Sequence, residues 1–126
     1  MLELSSGNVL LTWESFEIKD GSVGEVYAKI IDESGNTVKS VFRINDYKDG
    51  LQWNKQMLLL SNGNMLLNWI SEGQDGDGIG VYGKVIDESG NTVKSEFRVN
   101  EYTNSDQSDQ QMLELSNGNV LLTWES

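Results

Sequence analysis

Residues 1 to 15 of the chain read Met1-Leu-Glu-Leu-Ser-Ser-Gly-Asn-Val-Leu-Leu-Thr-Trp-Glu-Ser15, and close relatives of this stretch occupy 57–71 and 112–126. Each copy contains an apolar segment, a short polar turn and a second apolar segment. The second copy has Asn62-Gly63 in its turn, and Asn-Gly between apolar segments is the strongest short-range hairpin signal. The stretch therefore predicts a β-hairpin that occurs three times, which we call module A.

A second segment separates these copies and also predicts a hairpin. It runs from 26 to 45 and again from 81 to 100, and we call it module B. Apolar residues alternate along its two predicted strands, and Glu33-Ser34-Gly35-Asn36 supplies turn chemistry between them. The order along the chain is A-B-A-B-A. Trp13, Trp69 and Trp124 mark a period of about 55 residues, which is typical of propellers, solenoids or arrays.

One module A and one module B together predict a four-stranded antiparallel unit, the size of a β-propeller blade. We therefore expect an all-β fold in which residues 1–126 form a single array of tandem blade-like units. A propeller closes with about four to eight blades, and this chain supplies fewer. It starts and stops at the same phase of the repeat, so one module A has no module B partner.

An unpartnered hairpin exposes strand edges and an apolar face, which favours pairing with another chain. We therefore expect the fold to be completed by assembly with other copies of the chain, as a filament or as a multi-chain ring. The residues expected to carry this assembly lie in the first and last copies of module A: Leu2, Leu4, Trp13, Leu113, Leu115 and Trp124.

The amino-acid composition argues against several classes of binding partner and of enzymatic reaction. The net charge is -11, and the chain has no Cys and no His. An acidic surface repels nucleic acid, whose binding needs Lys and Arg, and no apolar run approaches the roughly 18 residues that span a bilayer. Nucleophilic triads lack their usual base or thiol. We therefore expect no nucleic-acid partner, no membrane insertion, no cofactor and no enzymatic activity.

Two further stretches carry a family resemblance. They are Gly73 to Tyr102, which includes Val81-Tyr-Gly-Lys-Val-Ile-Asp-Glu-Ser-Gly-Asn91, and Leu115-Ser-Asn-Gly-Asn-Val-Leu-Leu-Thr-Trp-Glu-Ser126. With the other copies they make the chain similar to the repeats of large secreted bacterial proteins of the haemolysin-type calcium-binding and adhesin-like classes. Gln56 and Gln111 stand near the place where that family often has Pro. The resemblance implies an extracellular or cell-surface protein with an adhesive or scaffolding role, and it implies no enzyme.

Asp75-Gly-Asp77-Gly is the sharpest candidate for a metal site, because two carboxylates in a flexible loop offer oxygen ligands to Ca²⁺. The spacing falls short of an EF-hand, and the equivalent first loop has only Asp20-Gly21. A solvated Gly-rich turn is the interpretation we favour. The acidic pairs at 32–33 and 87–88 are interpreted as polar hairpin turns rather than as acid/base pairs, because adjacent strand residues point to opposite faces.

Aromatic residues give the alternative function. The tryptophans of module A share a strand face with Val9 and Leu11, so the interpretation we favour places them in the core between units. Tyr27 and Tyr82 lie on the face opposite Val26 and Ala28, which makes them the candidate contacts of a glycan-binding propeller with one shallow site per blade. Trp53 occurs in the first link only, as a partner contact or a loop anchor.

The sequence thus predicts a non-enzymatic extracellular repeat protein that is structural or adhesive and assembles with itself. A glycan-binding lectin is the alternative. A third alternative, an excerpted or designed piece of a longer array, is suggested by the close match of 31–40 with 86–95.

Overall fold

A computed structural model describes residues 1–15, 24–46, 52–74, 78–100 and 108–125. The secondary structure in these ranges consists of β-strands without helices, which confirms the all-β prediction. The strands are β1 (Leu2–Glu3), β2 (Val9–Ser15), β3 (Glu25–Ile31), β4 (Thr37–Arg43), β5 (Gln52–Leu59), β6 (Met65–Glu72), β7 (Ile79–Ile86), β8 (Thr92–Arg98), β9 (Ser108–Glu114) and β10 (Val120–Glu125).

These strands form three antiparallel sheets that follow the chain in order. Strands β1 to β4 make the first sheet and β5 to β8 the second, each with neighbours in sequence order, while β9 and β10 form a terminal hairpin. The register repeats from copy to copy: Trp13 lies opposite Tyr27, and Trp69 lies opposite Tyr82. No closed sheet is formed by the described residues.

The hairpin turns share one hydrogen-bond pattern. In the second module A, the Leu60 amide donates to the Asn64 carbonyl at 2.8 Å and the Gly63 amide donates to the Leu60 carbonyl at 3.0 Å. This pattern is that of a type I turn followed by a glycine bulge, and the bulge requires a left-handed residue, here Gly63 at φ +88°. The same two bonds recur in the turns that contain Gly7, Gly35, Gly90 and Gly118.

Residues 52–56, the part of the link before the second module A that the structure describes as strand, belong to the second sheet. Strand β5 begins at Gln52, so Trp53 is a strand residue opposite Ile70 rather than a loop anchor. A break in register between Trp53 and Gln56 keeps this extension in the sheet. The module boundary inferred from the repeat therefore lies inside a strand.

Each sheet is apolar on both faces. One face carries Trp13, Trp69 or Trp124, and we call it the tryptophan face. The opposite face carries Leu10, Leu66 or Leu121, and we call it the leucine face. Consecutive apolar residues such as those of β6 are expected when a strand is covered on both sides, and β6 is buried from Met65 to Ser71.

The sheets pack face to face in a fixed order. The leucine face of the first sheet packs onto the tryptophan face of the second. The core between them holds residues of both faces: Leu4, Leu10, Val26, Ala28, Ile30 and Ile44 from the first sheet, and Met65, Leu67, Trp69, Tyr82 and Ile86 from the second. The terminal hairpin in turn contacts the second sheet through β9.

Candidate functional site

The tryptophan face of the first sheet is the first of two apolar faces that the described residues leave open. Trp13 is 37% exposed, and its ring stacks with that of Tyr27 at a centroid distance of 6.3 Å and an interplanar angle of 23°. The register places the two residues directly opposite each other on β2 and β3. Cross-strand pairing of aromatic rings stabilises the sheet and leaves one flat aromatic surface toward solvent.

A network of hydrogen bonds and an ion pair, formed by Glu25 and Arg43, holds Tyr27 in this orientation. Its hydroxyl donates to the Glu25 carboxylate, and the Arg43 guanidinium lies 3.3 Å from the same carboxylate. Arg43 also donates through Nε to the Asn45 carbonyl at 2.8 Å. Glu25 is buried, so its charge is compensated by these partners. The sequence did not predict this network, because the alternating pattern of a strand does not show which charged residues will form an ion pair.

The equivalent aromatic residues of the second sheet are covered. Trp69 is fully buried and Tyr82 is 5% exposed, both within the core between the sheets. Tyr82 is therefore corrected as a candidate glycan contact, because the leucine face of the first sheet covers its ring. The prediction of one sugar site per unit fails for the same reason. The favoured core interpretation of the tryptophans is confirmed for Trp69, whereas Trp13 borders solvent.

The leucine face of the terminal hairpin is the second open face. Leu113, Leu115 and Leu121 are 60%, 41% and 50% exposed. Leu113 and Leu121 lie opposite each other on β9 and β10, so these side chains project from one side of the hairpin. Such an exposed set of large aliphatic side chains marks an interaction surface more often than a solvated one.

The predicted assembly residues divide between covered and open faces. Trp13, Leu113 and Leu115 lie on the open faces, as an assembly role requires. Leu4 is 2% exposed and Leu2 packs against the same core, so both are corrected: they hold the first sheet to the second. Trp124 is half-buried; it lies on the tryptophan face, opposite to the exposed leucines, and is likewise removed from the open set.

Polar contacts between the sheets were also missed from the sequence. The Lys84 ammonium donates to the Ile44 carbonyl at 3.2 Å and lies 3.6 Å from the Asp46 carboxylate. Glu96 accepts a hydrogen bond from the Asp46 amide at 3.0 Å. Its equivalent in the first sheet, Val41, is 54% exposed. Among the described residues, only the second sheet has a neighbouring sheet on this side, which accounts for the difference.

Acidic residues lie in the two hairpin turns of module B. The backbone amide of Asn36 donates to the Asp32 carboxylate at 2.8 Å and lowers the pKa of that carboxyl below its ordinary value. The Asn91 amide does the same for the pKa of Asp87. Among the described residues, no group of three or more acidic side chains could hold a metal ion. Asp75 and Asp77 lie outside the described residues.

Comparison with known proteins adds no relative to this description. No family model, no curated protein and no solved structure matches the chain. In the part of the chain that the structure describes, no helix is long and apolar enough to cross a membrane.

Proposed function

We propose that this protein is a non-enzymatic structural or adhesive repeat protein, extracellular or at the cell surface, that assembles with copies of itself into a filament or a multi-chain propeller. The observation that carries the proposal is the pairing of faces inside the chain. A leucine face packs on a tryptophan face between the two sheets, and one face of each kind is left open, on the terminal hairpin and on the first sheet. Two copies therefore offer each other the same pair of faces.

Equivalent polar contacts support the same partner. Glu114 of the terminal hairpin accepts hydrogen bonds from the Ser61 amide at 2.9 Å and from the Ser61 hydroxyl at 3.2 Å. Glu3 occupies the position of Glu114 in the first copy of module A, and Ser116 occupies that of Ser61 in the last. Glu3 of one molecule and Ser116 of another would thus form the same bond where intact molecules stack on each other.

The proposed location and scaffolding role are supported by the sequence. The resemblance to repeats of secreted bacterial surface proteins supports an extracellular place and a scaffolding role. A net charge of -11 supports high solubility of the separate molecules. Self-association then depends on the apolar faces rather than on a general tendency to aggregate.

Self-association is tested by introducing a charge into the open leucine face. Leu121→Glu places a carboxylate at the centre of the proposed contact, where burial without a partner is strongly unfavourable. The matched control is Val93→Glu, since Val93 is exposed to a similar degree, 54%, on the outer strand β8. Sedimentation velocity over a concentration series measures the mass, and negative-stain imaging separates rings from filaments.

We expect the native chain and Val93→Glu to sediment well above the monomer mass of 14.1 kDa, and Leu121→Glu to remain monomeric with unchanged circular dichroism. A native chain that stays monomeric and monodisperse up to high micromolar concentration would refute the proposal. Equal assembly of Leu121→Glu and the native chain would exclude the leucine face.

Glycan binding is the second candidate, favoured by the stacked Trp13–Tyr27 pair, in which Trp13 is exposed and Tyr27 half-buried. Sugar rings pack on flat aromatic surfaces, and the Glu25–Arg43 pair beside Tyr27 offers hydrogen-bonding groups at its edge. Among the described residues the site lies on the first sheet, since the equivalent Tyr82 of the second sheet is buried.

A glycan array read with the native chain and Tyr27→Ala tests this candidate. Signals on the native chain that disappear with Tyr27→Ala support it, with Val38→Ala as the control for an exposed residue outside the aromatic pair. An array without signals removes the lectin function and leaves the structural proposal standing.

A further inference from the structure

The first and last copies of module A are interchangeable in sequence. Residues 1–15 and 112–126 differ at a single position, Ser6 against Asn117. The middle copy, in contrast, differs from the first at Leu59, Asn62, Met65, Asn68 and Ile70. The registers of the two outer hairpins also agree, since Leu2 pairs with Leu10 as Leu113 pairs with Leu121.

The two outer hairpins nevertheless occupy different surroundings. Strand β2 pairs along the whole of β3, from Val9 opposite Ile31 to Ser15 opposite Glu25. Strand β10 pairs only with β9 among the described residues. Leu10 is fully buried, whereas its equivalent Leu121 is 50% exposed. The terminal hairpin thus carries the same side chains that β2 places against β3, and no other described strand pairs with the free side of β10.

We propose that the terminal hairpin of one molecule replaces residues 1–15 in the first sheet of another, so that β10 pairs along β3 of the recipient. This inference rests on the proposed self-association and specifies that the molecules associate by exchanging hairpins. The contacts that the displaced hairpin loses are recovered by the incoming one, because the residues that pair with β3 or enter the core are identical in both.

Exchange also adds contacts that neither separate molecule has. The tryptophan face of the incoming hairpin stays on the donor's second sheet, so the recipient's β3 comes to lie beside that sheet. Tyr27 and Lys29 of β3 would then contact the donor's leucine face as their equivalents Tyr82 and Lys84 contact the first sheet within one chain. Simple stacking without exchange would leave the edge of β10 unpaired.

Disulfide trapping distinguishes exchange from stacking, because the native chain has no Cys. Leu11 lies opposite Lys29, and Leu122 is the equivalent of Leu11 in the terminal hairpin. In the variant Lys29→Cys with Leu122→Cys, exchange brings the two sulfurs of different molecules together. We expect a ladder of covalent multimers on a non-reducing gel after mild oxidation, and its loss on reduction.

The variant Leu11→Cys with Lys29→Cys is the matched control and a second test. When it is oxidised at high dilution, the disulfide ties residues 1–15 to β3 within one molecule and shows that this pair of positions can be bridged. The tied hairpin cannot leave, so we expect the oxidised protein to lose assembly in sedimentation velocity and to regain it on reduction.

The outcomes separate the mode of assembly from assembly itself. If the oxidised control still assembles, or if Lys29→Cys with Leu122→Cys assembles without an intermolecular disulfide while the control is bridged, exchange is refuted and stacking of intact molecules remains. If neither the native chain nor the reduced variants assemble, the proposed function fails together with the exchange.

Discussion

Three tryptophans in nearly the same sequence context have three different surroundings. Trp69 is fully buried between two sheets, Trp124 is half-buried on the terminal hairpin, and Trp13 is partly exposed on the first sheet. The local sequence determines which strand face each ring occupies. Whether the ring is covered depends on the presence of a neighbouring sheet, and this difference decides how much each ring contributes to stability.

Substitution of the equivalent tryptophans should therefore give different results. Trp69→Ala removes a fully buried aromatic side chain, and we expect the free energy of unfolding to fall by about 3–5 kcal/mol. Trp13→Ala should lower it by only about 1 kcal/mol. Urea denaturation of each variant under monomeric conditions measures both losses. Equal losses of stability would contradict the assigned difference in burial.

Asp32 links the stability of one turn to pH. Backbone hydrogen bonding lowers the pKa of its carboxyl in the folded state, so the ionised form stabilises the fold above the ordinary pKa of about 4. This contribution is lost as the pH falls through the lowered value. Asp32→Asn keeps an acceptor for the Ser34 and Asn36 amides but cannot titrate. We expect its stability to decline less between pH about 5 and 2 than that of the native chain.

Thermal unfolding as a function of pH measures this difference, and Asp32→Ala serves as the control that loses both the charge and the acceptor. Parallel pH profiles for the native chain and Asp32→Asn would mean that the carboxylate contributes nothing specific to the acid dependence.

At the scale of the element, the hairpin turn is the unit that repeats most faithfully. Two Asp-containing turns and three Ser- or Asn-containing turns use the same pair of backbone bonds, and each has a glycine with positive φ. The side chains differ, but in each turn a side-chain oxygen of Ser, Asn or Asp accepts backbone amides that the turn leaves free. The turn is thus determined locally and independently of its sheet.

Gly35 allows this geometry to be tested without a steric effect. Its φ is +86°, and a Cβ at this position would meet no atom within 4 Å. Gly35→Ala should therefore be destabilising by about 1–2 kcal/mol through backbone conformation alone. Gly35→Asn should be less so, since Asn tolerates the left-handed region better. Urea denaturation measures both values. A neutral Gly35→Ala would contradict the glycine bulge assigned to this turn.

At the scale of the whole molecule, like charges oppose the proposed self-assembly. Each molecule carries a net charge of -11, and the screening length falls from about 30 Å at 0.01 M salt to about 10 Å at 0.1 M. We expect the midpoint concentration of assembly to decrease several-fold over this range of NaCl. Leu121→Glu, which lacks the apolar contact, should stay monomeric throughout. Assembly that weakens with salt would point to attraction between charges instead of contact between apolar faces.

The sequence by itself determined the hairpins, their order and their turns. Alternating apolar residues and Asn-Gly or Ser-Gly turns are local properties, so the strands could be located to within a few residues, with the largest differences where β5 and β9 begin before their modules. The strand faces of Leu11 and Trp13 were also correctly grouped, because successive strand residues alternate between faces.

Only the tertiary structure decided which of those faces are open. Leu4 and Leu115 stand in the same short sequence, Glu-Leu-Ser, yet one is buried and the other exposed. Likewise Tyr27 and Tyr82 differ in burial although each lies opposite a tryptophan. Burial is a property of what lies across the face, and in a repeat the same residues meet a neighbour in one copy and solvent in another. A periodic sequence cannot encode this difference in its local pattern, and the stacking order of the sheets supplies it.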